Sequence, residues 1–384
     1  MPNRFGLRRM IARDPQEHHR VASPLELFFD LVFVVAVSFS SSQLHHIESE
    51  GHLTTAIGSY LMIFFAIWWA WVNFTWFASS FDVDDWLYRA MTILQMAGVL
   101  VLAAGVSDAM EHSDFKIVTF GYVIMRLAMI GQWLRVASSD ANAKSTALRY
   151  ASGIFIVQVF WLLRLLLPES LGLASFLILV VAEMLIPVWA ESAGQTPWHR
   201  HHLAERYSLF TIILLGESIL ASANSVNEAL DLNEHVPALL MVAGSGLVIA
   251  AGMWWIYFSR GQHDLIEDMR GAFTFGYFHY VIFAAAGAFS AGIEVAVDSI
   301  LYESEAHRFA ALTLSLPVAA FLLGVWVLAL RKSCTRNLQT IYFAGVGVVL
   351  LGAFAHPPLS MLIAAVGVVI CAATTEPGRV AVAS

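Results

Sequence analysis

The amino-acid sequence predicts an all-α membrane protein, a polytopic helix bundle with about twelve transmembrane helices. Three observations lead to this fold class: composition, the length of the apolar runs and the distribution of positive charge. Of the 384 residues, 58% are hydrophobic and 13% are charged, with a mean hydropathy of +0.69. Soluble chains carry about 25% charged residues. Lipid must therefore be the solvent for most of this apolar surface.

Apolar runs long enough to cross a bilayer recur along the whole chain. A transmembrane helix needs roughly 17–25 mostly apolar residues. Runs of this kind lie near residues 24–42, 53–78, 88–107, 117–137, 147–167, 171–190, 206–224, 237–258, 271–295, 309–330, 338–355 and 357–374. Because only a short turn separates the last two runs, residues 338–374 form either two full spans or a re-entrant hairpin.

The positive charges alternate between the two sides of the predicted bundle. With the N-terminus in the cytoplasm, the inside segments hold 17 Lys and Arg residues, Arg206 among them, and the outside loops hold only Lys116 and Arg308. This asymmetry satisfies the positive-inside rule and predicts an inner-membrane protein with both termini cytoplasmic. The outside loops are acidic and His-containing, as in 43–52 and 224–235. The basic stretch from Arg4 to Arg20 is most simply a topology determinant, and anionic-lipid binding is the alternative.

Two aromatic clusters suggest an internal repeat of six spans. Trp68-Trp69-Ala70-Trp71 and Trp254-Trp255-Ile256-Tyr257 lie about 186 residues apart, with Asp30 38 residues before the first and Glu217 37 residues before the second. Six spans per half would give the halves one orientation, as in parallel-repeat transporters. The alternative is coincidence, since Trp and Tyr gather at membrane interfaces. The predicted segments are a basic N-terminal segment (1–22), two six-helix repeats (23–195 and 196–376) and a cytoplasmic C-terminal tail (377–384).

Two sequence segments are more specific than composition. They are SPLELFFDLVF at residues 23–33 and ERYSLFTIILLGES at residues 205–218. Together they resemble the signatures of the bacterial low temperature requirement A (LtrA) family, although Ser208 stands where the family often has Gly. Further matching segments are 76–85, 126–135, 278–280 and 291–294. The resemblance implies a multi-pass membrane protein linked to growth in the cold. It implies no particular molecular activity.

Ionisable residues at membrane depth are costly and mark functional sites by default. The candidates for ion coupling are Asp30, Glu217, Glu183, Arg126, Arg164 and His279. The alternative is that the acids neutralise the two arginines as buried pairs that fix helix register. Two cations cannot pair three acids, so at least one acid should be protonated or bind a cation. His279 is either a proton relay or a hydrogen-bonded packing residue.

Glu26 is set apart from these candidates, because Ser23-Pro24-Leu25-Glu26 has the pattern of a capping box with proline at the first helical position. Asp30 follows Glu26 by one helical turn on the same face. Two carboxylates at this spacing repel each other. An arginine, a shared proton or a bound cation must relieve that repulsion.

The remaining polar motifs predict no cofactor. His199-Arg200-His201-His202 lacks a local cysteine or carboxylate to complete a zinc site. It is predicted to be a solvated linker, so no metal site is expected. Two acidic loops that follow the aromatic clusters at equivalent points of the two halves contain Asp82, Asp84 and Asp85, and Asp264, Glu267 and Asp268. They could hold Mg²⁺ against a diphosphate, although few basic residues accompany them.

Three functions are compatible with these features. The first is a secondary transporter or ion pathway for a small ion or small-molecule substrate, with Asp30 and Glu217 as one site at the repeat interface. The second is a membrane-embedded enzyme acting at the acidic loops. The third is a non-catalytic protein that supports the envelope in the cold. We expect transport rather than an enzyme, with the lipid bilayer as the surrounding partner. No basic stripe suggests nucleic acid.

Overall fold

The computed structural model describes residues 6–18, 20–232, 235–266, 268–302, 307–331 and 333–375, and within these ranges it contains helices and no β-strand. The predicted C-terminal tail (377–384) and Glu267 of the second acidic loop lie outside the described residues. The predicted N-terminal segment (1–22) is described from Gly6 onward, apart from residue 19.

The α-helices follow the predicted apolar runs closely. In chain order they are α1 (Pro24–Ser49), α2 (Leu53–Phe81), α3 (Trp86–Ala104), α4 (Val106–His112), α5 (Lys116–Ser139), α6 (Lys144–Arg164), α7 (Gly172–Glu191), α8 (Arg200–Leu232), α9 (Val236–Phe258), α10 (Met269–Leu301), α11 (His307–Val325), α12 (Arg336–Leu351) and α13 (Leu359–Ala373). Helices α3 and α4 together make one span, and a π-helical turn at Trp326–Leu330 extends α11.

Eleven helical segments of the described chain are long and apolar enough to cross a membrane. The prediction of a polytopic all-α membrane protein is therefore confirmed. Helix α13 is apolar but has only 15 residues. It rises about 22 Å at 1.5 Å per residue, less than the roughly 30 Å hydrocarbon core of a bilayer. Of the two predicted alternatives for residues 338–374, two full spans or a re-entrant hairpin, the choice therefore depends on α13, since Arg336–Phe354 is long enough to span.

The chain folds into two compact units. Unit 1 contains the residues up to Ala36 and Ala66–Arg206, and unit 2 contains Val37–Phe65 and the chain from Tyr207 onward. The division falls inside α1, α2 and α8 rather than at residue 195. The two six-helix repeats stay a prediction.

In unit 1, helices α3, α5, α6 and α7 pack in sequence order, each against the next. Helices α3 and α5 meet backbone to backbone, because a Cβ atom on Gly98 would lie 2.9 Å from the carbonyl oxygen of Gly121. Small residues permit this close approach in membranes, where burial from water does not drive helix association. Trp133 of α5 stacks on Tyr150 of α6 with ring centroids 4.1 Å apart.

The N-terminal segment before α1 is tied to unit 1 by main-chain hydrogen bonds. The Arg8 amide donates to Asp85 (3.0 Å) and the Ala12 amide to Asp140 (3.2 Å). The Arg13 amide donates to the carbonyl of Ser80 at 2.9 Å. The segment therefore has a defined path along the ends of α2, α3 and α5, in addition to the topological role predicted for its arginines.

In unit 2, α10 packs on α11, and α13 packs on α9 and α12. Polar contacts join the parts of α1 and α2 in this unit to α10. Ser41 donates to the carbonyl of Gly287 (2.9 Å), and Tyr60 donates to the carbonyl of Ala284 (2.9 Å). Each hydrogen bond satisfies a side-chain hydroxyl that cannot bond to water in the hydrocarbon core of the membrane.

Candidate functional site

A fully buried ion cluster lies in unit 1, where Arg206 of α8 pairs with both carboxylates of α1. Its Nε and Nη2 atoms donate to the two oxygens of Asp30, at 3.0 and 2.6 Å, and its Nη1 donates to Oε1 of Glu26 at 3.0 Å. The forked guanidinium matches a carboxylate in this bidentate geometry. Arg206 thus relieves the repulsion between two acids one helical turn apart.

Glu26 also caps its own helix. The Ser23 amide donates to Oε2 of Glu26 at 2.7 Å, and the Glu26 amide donates to the Ser23 hydroxyl at 3.3 Å. These are the two reciprocal hydrogen bonds of a capping box. One oxygen of Glu26 therefore serves the helix start while the other faces Arg206.

Aromatic rings of α2 close over the cluster. The indole nitrogen of Trp71 donates to Oδ1 of Asp30 at 2.7 Å. The Arg206 guanidinium lies 5.9 Å from the Trp71 ring and 6.0 Å from the Phe74 ring. A planar, weakly hydrated guanidinium suits such contacts better than an ammonium group would.

The histidines of the 199–202 motif contradict the prediction of a solvated linker. His199 and His202 are buried, because α8 begins at Arg200 and carries this turn into unit 1. The His199 amide donates to the Ser79 hydroxyl (2.9 Å), and Nε2 of His202 lies 3.0 Å from Oε1 of Glu26. In the described part of the chain, no three His, Cys, Asp or Glu side chains are placed to hold a metal ion.

A second buried ion pair in unit 1 joins α5 and α7. Nη2 of Arg126 donates to Oε2 of Glu183 at 2.7 Å. The Trp69 indole donates to the same oxygen at 3.0 Å, and the Gln158 amide donates to Oε1 at 2.8 Å. Glu183 thus accepts hydrogen bonds from three donors. Nε and Nη1 of Arg126 are buried without a hydrogen-bond partner among the described residues.

Arg164 does not neutralise a buried acid, contrary to one predicted alternative. It lies in the last turn of α6, is partly exposed, and donates from Nη2 to the Gly172 carbonyl at 3.0 Å. Its guanidinium lies 5.3 Å from the Phe115 ring and 5.5 Å from the Phe176 ring. A cation at a helix C-terminus is stabilised by the free carbonyls there, so this arginine needs no carboxylate.

Arg206 is not among the buried ionisable residues that the sequence predicts, since it counts there only as a positive charge of the inside segments. The structure shows it fully buried within α8. The signal was present in the i, i+4 pair Glu26 and Asp30, since two buried carboxylates on one face require a cation.

His279 of α10 lies in an aromatic cage in unit 2. Its Nδ1 lies 2.7 Å from the Phe275 carbonyl, and its Nε2 lies 2.8 Å from the Tyr257 hydroxyl. A carbonyl only accepts, so Nδ1 carries the proton and Nε2 accepts from the tyrosine. The rings of Tyr207 and Phe283 lie 4.8 and 5.1 Å away. Both ring nitrogens are satisfied, which favours the predicted packing role over a proton relay.

Glu217 differs from the other predicted acids. It is half-buried in α8 and makes no hydrogen bond or ion pair within the residues that the structure describes. Asp30 belongs to unit 1 and Glu217 to unit 2, so their union in one site stays a prediction. Their immediate surroundings differ: Asp30 accepts three hydrogen bonds, and Glu217 accepts none from the described residues.

A polar cavity of about 410 Å³ lies in unit 2, close along α8 to Glu217. It is lined by His45, Ala221, Asn224, Ser225, Asn227, Glu294, Val297 and Asp298. Ala221, Asn224 and Ser225 follow Glu217 by four, seven and eight residues, the spacing of a single helix face. Ala221 is about 6 Å along the axis from Glu217 at 1.5 Å per residue. The cavity wall therefore leads to the unpaired carboxylate within one helical turn.

His45 of α1 forms an acid–histidine triad with Glu294 and Asp298 of α10. The sequence did not predict this triad. Nδ1 of His45 lies 3.2 Å from Oε2 of Glu294, and Nε2 lies 2.7 Å from Oδ2 of Asp298. Both ring nitrogens face carboxylates, which only accept. His45 is therefore doubly protonated in this arrangement. The acidic, His-containing character of residues 43–52 was the available signal, but 43–49 continue helix α1 rather than forming a loop.

The carboxylates of the first acidic loop are already engaged in unit 1. Asp85 accepts from Arg135 at 2.6 Å and Asp84 from Arg89 at 2.7 Å, while Asp82 lies 3.7 Å from both Arg13 and Arg20. Burial raises the pKa of Asp82, and the nearby Glu26 carboxylate adds to this, against the two arginines. The hydrogen bond from Arg89 lowers the pKa of Asp84. In the second loop, Asp268 caps α10 by accepting from the Gly271 amide at 2.7 Å.

Asp85 gives a pH-dependent prediction. Burial acts to raise its pKa, but the hydrogen bonds from the Tyr88 amide, Arg135 and the Arg8 amide outweigh burial and leave the pKa lowered. A carboxyl group with a lowered folded-state pKa stabilises the fold at neutral pH. That contribution is lost as the pH falls below about 3.9, the ordinary value. Replacing Asp85 with Ala, which removes this helix N-cap, should cost about 0.5–2 kcal/mol at pH 7.

The measurement is thermal denaturation of D85A and wild type in detergent at pH 7 and pH 3. The difference between the two proteins should be clear at pH 7 and smaller at pH 3. The D85N variant keeps an oxygen that can cap α3 and should lose less than D85A at pH 7. An equal loss for D85A at both pH values would contradict the assigned role.

These features define a class, a multi-pass α-helical membrane protein. Its unit 1 holds buried charges in ion pairs, and its unit 2 contains a polar cavity. The chain belongs to the bacterial low temperature requirement A protein (LtrA) family, whose sequence model matches residues 21–374. It is also similar to an uncharacterized protein of Rhizobium meliloti (strain 1021), with 29% identity over 288 residues. That alignment covers 69% of this chain and 68% of the relative.

Proposed function

We propose that this protein is a secondary transporter or ion pathway of the bacterial inner membrane, with both termini in the cytoplasm and Glu217 as its ion-coupling carboxylate. The observation that carries the proposal is the polar cavity of about 410 Å³, whose α8 wall leads to a half-buried carboxylate with no partner among the described residues. With the N-terminus inside, α1 ends on the outside, so the cavity at His45 is the outer entrance.

An unpaired carboxylate at membrane depth has two stable states. It is either protonated or neutralised by a bound cation, because an isolated charge is strongly disfavoured there. Exchange between these states couples a proton or cation to movement. Glu217 meets this requirement, since no arginine holds it in one state among the described residues.

The paired acids of unit 1 fit a structural role better. Asp30 is held by Arg206 and Trp71, and Glu183 by Arg126, Trp69 and Gln158. These hydrogen bonds tie each carboxylate to side chains of neighbouring helices. We therefore assign them to fixing helix register in unit 1. A direct part in coupling for Asp30, Glu183 and Arg126 stays a prediction.

The enzyme alternative gains less support. Asp82, Asp84 and Asp85 are committed to arginines, and Asp268 to a helix cap. A Mg²⁺–diphosphate site needs carboxylates free to bind the metal and basic groups free to bind the phosphates. Among the described residues, the two acidic loops contain few carboxylates and few basic groups that are free for such binding.

The test is a flux assay with purified protein in liposomes loaded with pH- and potential-sensitive dyes. We expect wild type to carry a proton or alkali-cation current, and Glu217→Gln to lower its rate by at least tenfold. Gln keeps the shape of the side chain but cannot exchange a proton. The control is Glu111→Gln, which removes the same charge from an exposed position at the end of α4. Equal flux in wild type and E217Q, or no flux of any tested ion, would refute the proposal.

A further inference from the structure

The polar cavity of unit 2 holds a charge arrangement that defines what it can bind. One imidazolium, His45, is shared by two carboxylates of α10, Glu294 and Asp298, at 3.2 and 2.7 Å. The Ser49 hydroxyl donates to the same oxygen of Asp298 at 3.2 Å. The triad carries two negative charges against one positive charge, and the positive charge depends on a single removable proton.

The surroundings add acceptors rather than further cations. On α1, Glu48 follows His45 by one turn, and its buried Oε2 has no hydrogen-bond partner among the described residues. Helix α8 contributes the amides of Asn224 and Asn227 and the hydroxyl of Ser225. The titratable group of α2 in this region is Tyr60, which donates to a main-chain carbonyl of α10. No Lys or Arg lines the cavity in the described chain.

The size of the cavity narrows the class of ligand. About 410 Å³ is far more than a bare ion occupies, and falls in the range of small-molecule sites. Among the described residues, no three His, Cys, Asp or Glu side chains are placed to hold a metal ion together. The ligand is therefore a cation that brings its own hydrogen-bond donors, either water molecules around an alkali ion or the N–H groups of a primary ammonium.

We propose that the cavity binds one monovalent, hydrogen-bond-donating cation between Glu294 and Asp298 in exchange for the proton on His45. This inference rests on the proposed transport function, for which it names the substrate class. One ring N–H bond of the imidazolium breaks, the proton leaves to the outside water, and the cation takes over the charge on the two carboxylates. The exchange is one positive charge for one. Neutral His45 retains one N–H and one acceptor nitrogen.

The experiment measures proton release during cation binding. The full-length protein in weakly buffered detergent solution, with tetramethylammonium as the background cation, is titrated at pH 7 and pH 8 with potassium chloride, sodium chloride or ethylammonium chloride. Calorimetry reports binding, and a pH electrode reports protons. We expect one proton released per cation bound and an affinity that rises by up to tenfold per pH unit, as linkage for one exchanged proton requires. Comparison of the potassium and sodium titrations with the ethylammonium titration shows whether the donors are water molecules around an alkali ion or ammonium N–H groups.

Variants separate this exchange from non-specific binding. Asp298→Asn should weaken binding by at least tenfold, whereas His45→Gln should bind the cation without proton release and without pH dependence. Glu111→Gln should behave as wild type. Absence of binding for all three cations, or proton release that persists in H45Q, would overturn the proposal. Each variant is first checked for a monodisperse elution profile, and D298N gives an independent test if H45Q does not fold.

The same proteins distinguish this inference from the proposed function. If E217Q abolishes flux but leaves cation binding and proton release intact, both stand. If binding and proton release occur but wild type carries no flux, the cavity is a cation site and the transport proposal fails. If flux depends on Glu217 while no variant of the triad changes binding, the transport proposal stands and the exchange at His45 is wrong.

Discussion

Replacing Arg206 by Met should lower the free energy of unfolding by about 3–5 kcal/mol, the usual effect of removing one partner from a buried ion pair. Asp30 would then lie buried without the arginine that binds both of its oxygens, and Glu26 would keep only the longer contact with Arg20 at 3.9 Å and the neighbouring His202. An SDS unfolding titration in mixed micelles, followed by tryptophan fluorescence, measures the change.

The matched control is Arg89→Met. Arg89 also pairs with an aspartate, Asp84, at 2.7 Å, but both side chains are more than half exposed. Exposed pairs typically contribute less than about 1 kcal/mol. Adding Asp30→Asn to R206M should recover part of the loss, because one buried charge is removed. The assignment of Arg206 fails if R206M and R89M unfold at the same SDS fraction.

A second large effect is expected at Glu183. Its replacement by Met leaves the Arg126 guanidinium buried without its carboxylate partner, and two nitrogens of Arg126 already lack hydrogen-bond partners among the described residues. We expect a loss of about 3–5 kcal/mol in the same titration. The double variant R126M/E183M removes both charges and should be clearly more stable than E183M. Recovery should remain incomplete, since Trp69 and Gln158 lose their shared acceptor.

The double variant decides between two accounts of this pair. If unpaired charge causes the loss, removal of Arg126 must relieve it. If R126M/E183M is as unstable as E183M, the loss comes from the packing of α5 against α7 instead. Glu111→Gln, exposed at the end of α4, controls for the change in net charge and should unfold like wild type.

The helices could be predicted because bilayer thickness dictates their length. The run predicted at 237–258 became α9 at Val236–Phe258, and the run at 117–137 became α5 at Lys116–Ser139. The predicted ends were less accurate where polar residues continue a helix. Helix α8 extends through residues on both sides of its apolar run, and these flanking turns contain His202 and Asn227.

The candidate site could be predicted only in part, because charge alone does not show which groups meet. The capping residues Ser23 and Glu26 and the importance of Asp30 and Glu183 follow from local spacing. The partner of Asp30 does not, since Arg206 is 176 residues away and looks like an ordinary cytoplasmic charge. The triad of His45, Glu294 and Asp298 likewise joins α1 to α10 across about 250 residues.

The ion pair between α1 and α8 has a consequence for how the protein is made. Helix α1 leaves the ribosome before α8, and 176 residues separate Asp30 from Arg206. At a synthesis rate of about 5–20 residues per second, Arg206 is added about 9–35 s after Asp30. During that interval the insertion machinery must accept a helix whose Asp30 carboxylate has not yet met its arginine, which single-helix insertion disfavours. Arg206 is the last residue of unit 1, so this ion pair forms only when the whole of that unit has been synthesised.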